Sequence, residues 1–256
     1  MQISQEDPQI LRDFLNYHET IKGQSEKTIQ EYHLDLRMFL RFIKLMKHEM
    51  PYDTPLESIE IHDIGLELIR TITVTDVYEF LAYLAHDRVK FPNTAFATAG
   101  IGAAARARKL SSIKSFYNCM IALGIMDRNP AKDVVAAKVE RKLPQILTGK
   151  EVELFLEQPD CSDLKGFRDR AMLELLYATG IRVSELIALD VDDLNLPAGV
   201  LHCESKGRER IIPLYHTAIR ALSDYITQVR PQLVESPEET ALFVNMSGER
   251  MSRQGF

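Results

Sequence analysis

From Ile10 to Leu45 apolar residues return every three or four positions, with one interruption. Ile10, Leu11, Phe14, Leu15 and Tyr17 form the first stripe, behind Asp7-Pro8, which reads as an N-cap followed by proline at the first helical position. The spacing predicts a helix to about Ile21, ended by Gly23. Ser25 then caps a longer helix, SEKTIQEYHLDLRMFLRFIKLMKHE, whose apolar face is Ile29, Tyr32, Leu36, Phe39, Leu40, Ile43 and Leu45. Pro51 and Pro55 break it, and 51–70 reads as irregular. Thr73 with Asp76 makes a capping box before VYEFLAYLAHDRV, a third helix. Thr94 to Leu123 reads mainly as helix, although Gly100 and Gly102 weaken its first half.

Between Gly124 and Leu147 the periodicity fades, and Asn129-Pro130 and Leu143-Pro144 are breakers. The pattern therefore predicts an all-helical module over residues 1–130, a linker over 131–146 and a second module over 147–256. The second module opens with a Thr148/Glu151 capping box and a helix to about Gln158. Lys165 to Thr179 reads as a largely buried helix, with Gly180 placed to end it and the short helix VSELIAL after it. The period then changes. Val200 to Cys203 and Arg210 to Pro213 read as strands around the turn SKGRE, Tyr215 to Val229 as helix, and Ala241 to Val244 as a third short strand. The expected fold class is mainly α: a helical bundle followed by a mostly helical domain with a small antiparallel hairpin or three-stranded sheet.

Composition narrows the functional classes. With 45% hydrophobic and 27% charged residues the chain is globular. No apolar run reaches the roughly 18 residues of a membrane span, and the N-terminus lacks a signal-peptide pattern. Cys119, Cys161 and Cys203 are odd in number and far apart, so a reduced, cytoplasmic protein without disulfides or a zinc site is expected. The net charge of −6 argues mildly against a nucleic-acid partner. Binding depends on local clusters, however, and the cations do cluster. Arg106, Arg108, Lys109 and Lys114 lie within IGAAARARKLSSIKSFY with no acid among them. A helix with cations on one side and small residues nearby suits a DNA groove; a solvated basic face is the alternative.

Two further cations carry candidate chemistry. Arg182 follows Gly180 at the start of a short helix, where free N–H groups and the dipole favour an anion. Its guanidinium can fork onto two phosphate oxygens, with Glu185 near enough to orient it; a surface pair with Glu185 fits the same spacing. Lys206, flanked by Gly207, Arg208 and Arg210 at a hairpin tip, can reach into a groove. There its ammonium can stabilise charge or protonate a leaving oxygen, although SKGRE is also an ordinary polar turn.

ATGIRVSELIALDVDDL followed by SKGRERIIPL resembles the tyrosine recombinases, the phage integrase and Xer-type group. SEKTIQEYHLDLRMFLRFI and ARKLSSIKSFYNCMIALGIMDRNPA are similar to that family's helical, SAM-like core-binding domain, and LPQILTGKEVELFL to the start of its catalytic domain. The resemblance implies that Arg182 holds the scissile phosphate, Glu185 supports it, and Lys206 protonates the 5′-hydroxyl leaving group. A C-terminal tyrosine of the family attacks phosphorus and forms a 3′-phosphotyrosyl link, with no metal or cofactor. The resemblance also implies double-stranded DNA as partner, tetramers on DNA, and DNA contacts around Ser25, Thr28, Tyr32, Arg106, Arg108, Lys109, Lys114, Arg208 and Arg210. The family's His-x-x-Arg element and nucleophilic tyrosine have no match here. His202 and His216 do not sit in such an element, and Tyr177, Tyr215 and Tyr225 precede where it would fall. The expectation is a truncated recombinase with weakened assembly that binds DNA without cutting it. The rivals are a non-catalytic DNA-binding regulator or decoy, and a metal-dependent nuclease using Asp190, Asp192 and Asp193.

Overall fold

The structure is a computed structural model describing residues 6–90, 94–95, 97–136, 143–205, 207–236 and 238–256. It divides into two compact units, residues 1–142 and 143–256, each with its own core.

In the first unit, α1 (Gln9–Asn16) widens into a single π turn at Tyr17–Ile21. Asp7 does not cap α1 as expected. It is buried, and its carboxylate pairs with His33 of α2 (Glu26–Lys47) at 2.8 Å. Ser25 does cap α2, its hydroxyl accepting from the Thr28 N–H. The stretch 51–70 contains a short 3₁₀ turn and then α3 (Leu66–Thr71). Thr73 and Asp76 form the expected capping box of α4 (Val74–His86).

The expected helix from Thr94 begins only at Ala103. Gly100 takes a left-handed φ of +78°, and its missing Cβ would lie 2.1 Å from the Ala85 carbonyl oxygen. That turn follows a small hairpin, β1 (Val89–Lys90) against β2 (Thr98–Ala99), and leads into α5 (Ala103–Ala122). The apolar faces converge on one core, where Phe14 meets Phe116 at 5.6 Å and Phe39 meets Phe80 at 5.2 Å. Each buried large side chain contributes about 1.5–3 kcal/mol to stability. The stretch expected as linker is not uniform. Ala131 and Val134 are fully buried in this first core, whereas Leu143 and Ile146 are exposed.

The second unit begins with α6 (Gly149–Leu156), again opened by a capping box. In α7 (Leu164–Thr179), Ala171, Met172 and Leu175 are buried. A short helix, α8 (Val183–Leu186), leads to a three-stranded antiparallel sheet in the order β3 (Leu194–Asn195), β4 (Val200–Ser205), β5 (Arg208–Pro213). The third strand is therefore Leu194–Asn195, not Ala241–Val244. The latter stretch makes only isolated bridges, Asp190 with Ala241 and Val244 with Arg250, because its side chains are pulled into the core around Phe243. The helix expected over 215–229 is α9 (His216–Asp224) plus a π turn at Tyr225–Val229, followed by α10 (Arg230–Leu233). Tyr225 stacks on Phe243 at 5.3 Å in the core.

Candidate functional site

Gly180 ends α7 in the left-handed conformation, at φ 61°, with its N–H on the Leu176 carbonyl at 2.8 Å. Ile181 is buried and pins the turn. Arg182 is thereby the N-cap residue of α8, and its backbone N–H donates to Glu185 Oε2 at 2.8 Å. The Arg182 side chain is 75% exposed and makes one bond to Glu185 Oε1, at 3.2 Å.

Glu185 is almost fully buried, and a second guanidinium shares it. Strand register explains which one. Arg210 lies opposite Cys203, and Cys203 is buried, so Arg210 shares the inner face of the hairpin. From there it forks onto the carboxylate, Nη1 to Oε1 at 3.3 Å and Nη2 to Oε2 at 2.9 Å. The forked pair with Arg210, then the Arg182 backbone bond, hold the Glu185 carboxyl at about 2. A depressed carboxyl stabilises the fold fully above its ordinary value of 4.5 and loses that contribution as pH falls towards 2. Acid titration followed on the Arg210 guanidinium resonances is expected to show release below pH 4.5, well towards 2. A midpoint at 4.5 would mean that the pair does not form in solution.

The remaining hairpin residues divide. Lys206 lies outside the described residues. Arg208 is exposed opposite Ser205, and among the described residues it has no ion-pair or hydrogen-bond partner.

Near the end of α7, Tyr177 is exposed and meets Tyr215 edge-on at 6.5 Å. The Tyr215 hydroxyl donates to the buried Glu174 at 2.9 Å, and Glu174 also holds Arg170. Burial, with Glu174 beside it, pushes the Tyr215 phenol well above its usual range. Tyr225 is fully buried. His202 and His216 are exposed.

Of the three acids considered for metal-dependent cleavage, Asp190 and Asp193 have structural partners. Asp190 pairs with Arg250 and accepts from Thr240, and Asp193 caps the turn back to the Asp190 N–H. Among the described residues, no group of three His, Cys, Asp or Glu side chains is placed to hold a metal, and no helix is long and apolar enough to cross a membrane.

In the first unit the four α5 cations do not share one side, because their spacing spreads them around the helix. Arg106 bonds the Ile101 carbonyl, and Lys114 the Lys132 carbonyl. Lys109 is buried, 2.7 Å from Asp35 of α2, and Arg108 reaches both Asp35 and Glu31. The local sequence holds no acid; the fold supplies two from α2. Ser25 and Thr28 bond one another at 3.0 Å, and Tyr32 packs on Phe14 and His18. Tyr32 and Lys114 do line one cleft, of about 430 Å³, with His18, Lys22 and Ser111.

The chain and its fold have counterparts in known proteins. Residues 145–256 match the family model described as the phage integrase family. The chain is 36% identical over 247 residues to the tyrosine recombinase XerD of Staphylococcus epidermidis, covering 96% of this chain and 74% of that protein. It is 38% identical over 248 residues to XerD of Oceanobacillus iheyensis, covering 96% of this chain and 73% of the relative. The chain belongs to the tyrosine recombinase family. The fold is also similar to that of the Tn1549 transposon integrase solved with transposon right end DNA, at TM-score 0.61 and 16% identity over 96% of this chain and 74% of that one. It is similar as well to a lambda integrase dimer bound to a COC' core site, at TM-score 0.56 and 20% identity over 94% of this chain and 76% of that one.

Proposed function

We propose that this chain binds double-stranded DNA and that Arg182, seated on Glu185, takes one backbone phosphate. The carrying observation is the Arg182 turn: a guanidinium 75% exposed, with its backbone locked by a buried carboxylate. In the corresponding reaction of a site-specific recombinase a tyrosine oxygen attacks phosphorus. The bond from phosphorus to the 5′ oxygen breaks, that oxygen takes a proton, and a 3′-phosphotyrosyl link keeps the bond energy for rejoining. Arg182 would bind the non-bridging oxygens as charge grows on them, and Lys206 would protonate the leaving oxygen. Arg208, which is exposed, would add a contact to the DNA backbone.

The same proposal holds that these 256 residues bind without cutting. Tyr225 is buried in the core, Tyr215 is tied to Glu174, and the Tyr177 ring packs on Tyr215. No His-x-x-Arg occurs in the sequence to complete the phosphate grip. Copies of the chain would gather on DNA towards a tetramer, as lambda integrase does on a Holliday junction, but more weakly than the longer relatives.

The test is fluorescence anisotropy on duplex DNA over a range of salt. Affinity should fall steeply with salt, and Arg182→Ala should weaken it within about tenfold and reduce the log–log salt slope by about 0.9, one phosphate contact among several. Nicked duplexes should leave no protein-linked DNA on a denaturing gel. An unchanged slope would remove Arg182 from the interface, and a covalent adduct would overturn the non-cutting reading.

A further inference from the structure

One carboxylate in the second unit serves two guanidiniums, and it serves them unequally. Glu185 receives two side-chain bonds from Arg210, at 2.9 and 3.3 Å, and one from Arg182, at 3.2 Å. A forked arginine–carboxylate pair is stronger and more directional than a single bond. Arg210 therefore satisfies the charge of Glu185, and Arg182 keeps most of its donors in solvent.

We propose that Arg210 is a positioning residue: by forking onto Glu185 it neutralises the carboxylate that would otherwise draw in the Arg182 guanidinium, and so leaves Arg182 free to grip a phosphate. The inference rests on the reading above that Arg182 binds phosphate. On this inference Arg210 acts through Glu185, with its side chain 41% exposed, and the experiment below separates that role from a direct DNA contact.

The physical case is a competition. The Glu185 side chain is 6% exposed, so its charge cannot be left without a partner. With Arg210 removed, the only cation bonded to it among the described residues is Arg182, three positions away on the same short helix. The guanidinium would fork inwards, and the phosphate would then have to displace a buried carboxylate. Strand register makes the arrangement specific. Arg210 faces inwards with Cys203 and Ile212, while Ile211 next to it points out and is 64% exposed. A lysine at 210 would keep the charge and lose the fork.

The experiment is a double-mutant cycle on the whole chain, read as duplex affinity and salt slope. Arg210→Ala should weaken binding by about three- to tenfold and lower the salt slope by about 0.9, matching Arg182→Ala. The double variant should lose no more than either single variant, because both losses are one phosphate contact. Glu185→Gln combined with Arg210→Ala should recover a clear part of the affinity lost by Arg210→Ala, because no charged carboxylate remains to capture Arg182 while the Gln oxygen can still accept from the Arg182 N–H. A purely structural role for Arg210 would not give that rescue. The rescued variant also keeps the test open if Arg210→Ala alone fails to fold. Additive losses would mean that Arg210 touches DNA directly, and an Arg210→Ala chain that binds normally would equally overturn the inference. If Arg182→Ala has no effect, the phosphate reading fails and this inference falls with it. If Arg182→Ala weakens binding and Arg210→Ala does not, only the inference fails.

Discussion

Replacing Asp35 by alanine is expected to cost the first unit about 3–5 kcal/mol, the range for removing one partner of a buried ion pair. The Asp35 carboxylate has no exposure and joins α2 to α5 through three donors: Lys109 at 2.7 Å, and Arg108 and Ser112 at 2.8 Å each. Arg108 is half exposed and has Glu31 in reserve, so it adapts to the loss. Lys109 does not. Its side chain is 10% exposed, and it would be left as an uncompensated buried ammonium. Two controls separate this cause from simple loss of packing. Asp35→Asn keeps acceptor oxygen and should cost less. Asp35→Ala with Lys109→Met removes the stranded charge and should recover much of the loss. The chain has no tryptophan, so urea dependence of hydrogen exchange in α2 and α5 is the suitable measurement. A loss below about 1 kcal/mol would show that the cluster contributes no more than surface pairs do.

Leu186→Ala is expected to cost the second unit about 2–5 kcal/mol, and to weaken DNA binding as Arg182→Ala does. Leu186 has no exposure and is the last residue of α8, which has only four residues. A helix that short has no stability of its own; it persists because Leu186 and Ile181 are buried and Glu185 bonds back to the Arg182 N–H. Removing the Leu186 side chain leaves a cavity beneath the turn that presents Arg182. Hydrogen exchange should rise over 181–189 before it rises in α7, and anisotropy should report the weaker binding. An affinity equal to that of the unaltered chain would mean that the turn is held by its capping bonds alone.

The elements were largely legible because their signals are local. The capping boxes at Thr73 and Thr148, the Ser25 cap and the Gly180 stop each involve residues within four positions, and each is present in the structure. Where the reading failed, a distant partner had prevailed. Asp7 looked like a cap, but its carboxylate is bound by His33, 26 residues away. Ala241 to Val244 looked like a strand, but core burial draws it in and the sheet takes Leu194–Asn195 instead. Helix from Thr94 was blocked by Gly100, whose left-handed turn has to pass against the Ala85 carbonyl.

The candidate site divides in the same way. The sequence alone determined the mainly helical architecture, the family and the pairing of Arg182 with Glu185, because three-residue spacing on a short helix brings those two together whatever else the chain does. It could not determine which cations remain available. Lys109 looked free with no acid nearby, and Asp35 lies 74 residues before it. Arg210 looked like a groove contact, and it is bound by a carboxylate 25 residues earlier. A cation's partner is set by distance in space, and only the tertiary structure brought α2 against α5 and the hairpin against α8. That packing decided that Arg210 is forked onto Glu185 and that the Arg182 side chain stays 75% exposed.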